Sequence, residues 1–199
     1  MKIGLLSIFF AAAIIARGQV NAYAKVTAIS GNVLTLSNAN QSFDTFQPGE
    51  QIIIIQMQGA TISGTGNNSS FGSLNSLNSA GLYEVAIISA VNGGVTSMTL
   101  TGAPANSYNV GGSVQIVSFP RLGTTGFTTT GNITAVAWNG NVGGVLAFYV
   151  NGNLNLQHNI SADAMGFRGG TKAGQNGGAC ENSTWITTTG NTRYANKGE

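Results

Sequence analysis

Apolar and polar residues alternate at period two along most of the chain, and glycine-rich breaks interrupt the alternation at short intervals. Strands with one buried face give this pattern, because successive side chains of a strand point to opposite sides. Beyond residue 18 no segment shows the three-to-four spacing of an amphipathic helix. The pattern therefore predicts an all-β protein with no helix outside the N-terminal leader.

Residues 23–120 contain a repeat. The first copy reads VTAISGNVLTL (26–36) and then FQPGEQIIIIQM (46–57). The second reads VAIISAVNGGVTSMTL (85–100) and then YNVGGSVQIVSF (108–119). Each copy is a hairpin, turning at Gly31-Asn32 or at Asn92-Gly93-Gly94, followed by a loop and a third strand. In the third strands Phe46 aligns with Tyr108, Gly49 with Gly111, Ile52 with Val114 and Ile54 with Ile116. Two such units can close about a pseudo-two-fold axis into a six-stranded barrel, which leaves no exposed sheet edge. The alternative is that two unrelated hairpins in a Gly/Thr-rich chain look alike. A polar connection rich in Gly, Ser and Asn, residues 59–81, separates the copies. It reads as a surface loop pinned by Phe71, Leu74 and Leu77, or as a ligand loop.

The stretch 143–170, GGVLAFYVNGNLNLQHNISADAMGFRGG, has a different rhythm. Three short apolar runs, Leu146/Phe148/Val150, Leu154/Leu156 and Ile160/Ala162/Ala164, are separated by corners of two or three residues. Three strands within about 20 residues resemble one coil of a right-handed parallel β-helix. Their apolar residues are expected to share one core. A single coil cannot bury its face alone, and the next coil is expected from about Trp185, so residues 121–199 read as the start of a longer solenoid. Between barrel and coil, residues 124–130 read as an edge strand, and Ile133, Val136 and Trp138 as a cap over the open end. The expected organisation is thus a leader at 1–18, a duplicated barrel at 19–120, and a cap with the first coils of a β-helix at 121–199.

The leader has the layout of a secretion signal: Lys2, an apolar run from residue 3 to 15, then Ala16-Arg17-Gly18 with cleavage before Gln19, or Val20-Asn21-Ala22 with cleavage before Tyr23. The run is too short to span a bilayer as a helix, and membrane insertion after its removal is not expected. The full chain carries a net +2. Without Lys2 and Arg17, six basic residues face six acidic ones, and the basic residues are scattered. That disfavours a nucleic-acid or anionic-membrane partner. Charged residues make up 7%, far below the usual quarter, so solubility rests on Asn, Ser, Thr, Gln and Gly. Cys180 is the single cysteine, which leaves no internal disulfide.

Little chemistry is encoded. One histidine and one cysteine give only His158 with Cys180 as a dyad, and neither has an activating neighbour in sequence. The acidic residues are Asp44, Glu50, Glu84, Asp163, Glu181 and Glu199. Only Asp163 falls on the solenoid strands, so that face has no pair of carboxylates for glycoside hydrolysis. Metal-ligand spacings and nucleotide-binding glycine loops are not found. The expectation is no catalytic residue, no cofactor and no metal. Trp138, Trp185 and Tyr194 are the candidate glycan contacts, with surface glycans or another cell surface as partners.

Several strings, AISGNVLTLS, QIIIIQMQGA, SAGLYEVAII, SVQIVSFP and above all GGVLAFYVNGNLNLQHNISADAMGFRGG, resemble the N-terminal region of large secreted adhesin-like surface proteins of gliding bacteria that use the type IX secretion route. The resemblance covers nearly all of the chain after the leader. It implies a glycine-rich β-helical continuation and a place outside the cell, and supplies no catalytic residues. The expected function is a secreted or cell-surface structural and adhesion protein whose barrel caps a β-helical stalk. The alternatives are the N-terminal part of a carbohydrate-active β-helix enzyme, or a carbohydrate-binding module. N-terminal sequencing of the exported protein should begin at Gln19 or Tyr23; an intact Met1 would refute the leader.

Overall fold

The computed structural model describes residues 18–63 and 72–167. The leader up to Arg17, Phe71, Arg168, the glycine-rich tail, Cys180, Trp185 and Tyr194 lie outside the described residues. Fourteen strands follow one another: β1 (Tyr23–Ser30), β2 (Val33–Asn40), β3 (Gln51–Gln56), β4 (Thr61–Ile62), β5 (Leu74–Ser76), β6 (Tyr83–Val91), β7 (Ser97–Leu100), β8 (Val114–Ser118), β9 (Arg121–Leu122), β10 (Gly126–Thr128), β11 (Ile133–Thr134), β12 (Tyr149–Val150), β13 (Asn153–Asn155) and β14 (Ile160–Ser161). A single 3₁₀ turn at Val110–Gly112 is the only helical element among the described residues.

Six strands close into an antiparallel barrel in the order β1-β2-β7-β6-β3-β8. Exchanging β1, β2 and β3 with β6, β7 and β8 maps this order onto itself. The register follows the same exchange. Val26 faces Leu36 and Ile88 faces Leu100, and in each hairpin the register slips just after that pair. The matching strings are therefore V-T-A-I (26–29) and I-S-A-V (88–91), which places the counterpart of Val26 at Ile88, three residues later than the start of the second sequence copy. Two pairs of counterparts face each other directly, Leu34 with Met98 and Ile54 with Ile116. The symmetry is incomplete. The β1–β8 ladder is offset by two residues from the β3–β6 ladder. Gly49 sits at φ +89° in a turn, whereas Gly111 lies in the 3₁₀ turn.

Alternation explains the barrel's filling. Val26, Leu34, Leu36, Ile52, Ile54, Ile88, Met98, Leu100, Val114 and Ile116 point inward, are buried, and form one cluster with Phe46. Burying each such side chain contributes roughly 1.5–3 kcal/mol. The connection between the copies forms a small antiparallel ribbon, β4 with β5. Leu74 and Leu77 do not pin it, since both are exposed. The amide of Gln56 does so instead. Fully buried, it donates to the carbonyls of Gln58 (2.8 Å) and Asn78 (2.9 Å) and accepts from Asn109 N–H (2.8 Å). A polar group can be buried at this site because all its hydrogen bonds are made.

After the barrel come three short parallel ladders: β9 with β12, β10 with β13, and β11 with β14. Partners lie 27 or 28 residues apart, Arg121 with Tyr149, Phe127 with Leu154, and Ile133 with Ile160. The segment stacked on residues 149–161 thus precedes it in the chain. Ile133 belongs to a ladder and is not a cap, and the 126–128 strand runs parallel to its partner. Side chains lock the two layers. Buried Thr129 accepts the N–H groups of Gln157 (2.9 Å) and His158 (2.8 Å) at its Oγ1, and Asn132 Oδ1 accepts Asn159 N–H (3.1 Å). The shared core expected for the 146–162 runs is only partial. Leu146, Phe148, Val150 and Ile160 are half-buried, whereas Leu154, Leu156 and Ala162 are exposed, because no described residue stacks on their outer side.

A second apolar cluster lies on the outer wall of the barrel, where Tyr23, Val117, Ile53 and Ile55 meet Val136, Val142, Val145 and Ala147. Three polar side chains clasp the backbone of this covering segment. Gln115, fully buried, donates to Gly143 carbonyl (2.8 Å) and accepts Gly143 N–H (2.9 Å). Tyr23 Oη donates to Val145 carbonyl (2.6 Å). Asn21 accepts Ala147 N–H (3.2 Å) and donates to the carbonyls of Ala147 and Ser118. Gly143 has φ +105°, and a Cβ there would lie 2.6 Å from Ala137 O, so only glycine fits under the Gln115 amide. Burial pushes the Tyr23 phenol up to about 12, against a smaller downward pull from Val136 N–H. Gln115→Ala would strand both buried polar groups of Gly143 and should cost about 2–3 kcal/mol in denaturant unfolding. Tyr23→Phe, which strands the Val145 carbonyl and loses the longer bond accepted from Val136 N–H (3.4 Å), should cost about 1–2 kcal/mol. Equal stability of both variants with the parent would refute the clasp.

Candidate functional site

Where the barrel passes into the parallel ladders, a cleft of about 300 Å³ opens. That volume lies at the lower end of the roughly 300–1,000 Å³ of pockets that take small organic ligands. Four parts of the chain build it. The 44–50 loop brings Asp44 and Glu50, β6 brings Ile87, the end of β8 brings Phe119, and the β9–β12 ladder brings Arg121 and Tyr149.

Local rules place each group. Gln47-Pro48-Gly49-Glu50 forms a tight turn, with Glu50 N–H on Gln47 carbonyl (3.2 Å) and Gly49 at φ +89°. Proline followed by glycine is the expected occupancy of such a turn. Gly49 N–H then reaches Ile88 carbonyl (2.8 Å) and Ile88 N–H reaches Glu50 carbonyl (2.9 Å), which fixes Glu50 at the edge of the barrel ladder. Arg121 and Tyr149 are direct partners in the parallel ladder. Phe119 supports the Tyr149 ring, with centroids 5.4 Å apart and planes at 52°, a tilted geometry favourable for aromatic pairs. Tyr149 remains 38% exposed beside Phe119.

The charges of the cleft do not neutralise one another. Among the described residues Asp44 has no hydrogen-bond or ion-pair partner, and Arg121 makes one hydrogen bond, from Nε to Gly123 carbonyl (3.3 Å). Desolvation, and after it the charge of Asp44, raises the Glu50 carboxyl above its ordinary value, with a smaller opposite effect of Gln47 N–H. By contrast Glu84 is committed to structure, accepting the N–H groups of Ala105 (2.8 Å) and Asn106 (3.2 Å).

The residues singled out from the sequence fall elsewhere. Trp138 is 3% exposed and meets Phe167 edge to face, with centroids 5.7 Å apart. Its ring is used in packing and offers no open face to a sugar, which corrects its candidacy as a glycan contact. Trp185 and Tyr194 lie outside the described residues. His158 Nδ1 lies 2.8 Å from Thr129 carbonyl and serves the ladder corner. Asp163 is exposed, but it lies in a turn after β14, and Ala162 and Ala164, expected to be buried, are exposed with it, so the alternation expected there does not hold. No group of three or more His, Cys, Asp or Glu side chains placed to hold a metal occurs among the described residues. No described helix is long and apolar enough to cross a membrane.

Sequence reasoning missed the cleft. Asp44 and Glu50 flank a visible Pro-Gly turn, but Arg121 and Tyr149 join them only through pairing across 28 residues of chain. Comparison with protein-family models, with curated proteins and with solved structures gave no match. One consequence of the Glu50 environment can be measured. Its carboxyl binds a proton more tightly in the folded than in the unfolded chain, so its contribution to stability declines as pH rises through the carboxylate range. Glu50→Gln should therefore raise the melting temperature at neutral pH. The gain should vanish below about pH 4, where Glu50 is protonated in both states. A gain that persisted or grew on acidification would contradict this assignment.

Proposed function

We propose that the chain is a secreted or cell-surface structural and adhesion protein in which the closed barrel caps and starts a parallel β-helical stalk. The observation that carries this reading is the set of three parallel ladders with a common offset of 27 or 28 residues, beginning directly after the last barrel strand. A chain that returns beside itself at a constant interval, with three short strands per interval, is laid out as a solenoid. The corner chemistry supports the same reading. Thr129 and Asn132, which receive the N–H groups of the next layer, belong to the string T-T-T-G-N at 128–132, and that string recurs at 187–191. Internal exchange symmetry supports descent of the barrel from a duplicated βββ unit. Export rests on the leader pattern, and cleavage before Gln19 would keep Asn21, whose amide clasps Ala147.

Two measurements test the proposal. Antibodies to the barrel should label intact cells of the source; labelling only after permeabilisation would overturn the surface location. In hydrogen exchange, Thr129→Val should speed exchange of amides in both 126–134 and 153–161, while barrel amides stay protected. Loss of protection in only one layer would show that the two do not form one stack.

A further inference from the structure

The cleft between barrel and ladders contains groups that the fold does not use. Asp44 and the outer nitrogens of Arg121 share one concavity, yet neither closes on a partner among the described residues. The Tyr149 ring packs against Phe119 and is 38% exposed, and both rings line the cleft. The site thus offers hydrogen-bond acceptors, a donor fork and a flat aromatic face within about 300 Å³.

We propose that this cleft binds one pyranose unit of a surface glycan. Tyr149 stacks on the C–H face of the ring, Asp44 and Glu50 accept its hydroxyl protons, and Arg121 donates to hydroxyl or ring oxygens. A sugar needs donors, acceptors and an apolar platform together, which other ligands do not. Ca²⁺ or Mg²⁺ takes six or more oxygen ligands, and the cleft supplies two carboxylates beside a repelling guanidinium. An anion would meet those same carboxylates. A free amino acid would depend on two ion pairs in an open, water-filled cleft, where such pairs are worth little. A neutral polyol gains from hydrogen bonds to charged groups, stronger than neutral ones, without bringing a charge of its own. The placement suits the task, since the site lies at the root of the ladder stack and is built from both parts. The proposal concerns purified protein and does not depend on the export reading.

The test is isothermal titration of the full exported chain, in EDTA, with cello-, malto-, xylo-, manno- and chito-hexaose. At least one should bind with a Kd on the order of 0.1–1 mM. Asp44→Ala and Arg121→Ala should each weaken that binding roughly tenfold or more, as the loss of a hydrogen bond to a charged group does. Tyr149→Ala should abolish it, and Tyr149→Phe, which keeps the ring, should restore most of it. Thermal melting of each variant separates loss of binding from loss of fold, and the variants at half-buried Asp44 and exposed Arg121 should stay folded. Absence of binding by the whole panel at about 5 mM, binding unaffected in the Asp44 and Arg121 variants, or binding that appears only with added Ca²⁺, would each overturn the proposal. So would titration of free alanine or phenylalanine that bound at this site in place of the sugars.

Discussion

The junction of the molecule depends on a clasp: the side chains of Asn21, Tyr23 and Gln115 hydrogen-bond the backbone of residues 143–147 as a neighbouring strand would. An extended segment laid on an apolar wall must satisfy its N–H and C=O groups or lose the gain from burial. Here there is no strand ladder to do so, and side chains take its place. Apolar contact between Val117, Val142 and Ala147 is non-directional and would tolerate sliding by a residue. The two-point bond between the Gln115 amide and Gly143 does not. It sets the register of the covering segment, and β12 begins two residues beyond Ala147. The pairing of Tyr149 with Arg121 therefore inherits its position from the barrel wall.

The internal exchange symmetry shows why only one wall is covered. The counterpart of Tyr23 is Val85, which presents exposed hydrocarbon where the covered wall presents a hydrogen-bonding hydroxyl; that of Gln115 is Ile53, itself part of the covered wall. The β6 wall accordingly leaves Tyr83, Val85 and Ile87 exposed. At the ends of the third strands the counterparts diverge in another way. Gln56 and Ser118 are both buried and polar, but Gln56 ties down the loops around residues 58, 78 and 109, whereas Ser118 Oγ accepts Ala22 N–H (2.8 Å). The same positions in the barrel have thus been used once to hold loops and once to anchor the chain's entry beside the clasp.

The barrel was legible because each of its strands buries alternate residues, and strict alternation survives in the sequence. Even the two exchange-related halves of the barrel could be seen, although the bulges after Val26 and Ile88 hide the register equivalence from a simple reading of the strings. The parallel part was legible mainly in its second layer; of the first, only the strand at 124–130 was expected, and as an edge. Residues 121–134 are rich in Thr and Gly and carry few apolar residues. They are held by backbone pairing and by Thr129 and Asn132 side chains, and neither leaves a period-two trace. Conversely, Leu154 and Leu156 carry that trace and yet are exposed, since burial requires a neighbour that periodicity alone does not locate. Trp138 was weighed as a packing residue or a sugar platform, and its burial decides for packing.

The cleft is a consequence of joining two architectures with different spacings. The barrel's last strand ends at Ser118, Phe119 N–H still reaches back to Gln51 carbonyl (3.0 Å), and three residues later the chain has entered the parallel ladder. An antiparallel wall and a parallel stack cannot share one continuous surface at that point, so a concavity remains between the Pro48-Gly49 turn and Tyr149. Such a gap could have been filled by an apolar side chain from either part. Instead its rim holds Asp44, Glu50 and Arg121, none closed on another. In a chain where only 7% of residues are charged, three lie around one cleft. The clasp fixes the stack on the barrel, the stack fixes Tyr149 beside Arg121, and the acidic loop meets them from the barrel side. The site is complete only when both parts are docked.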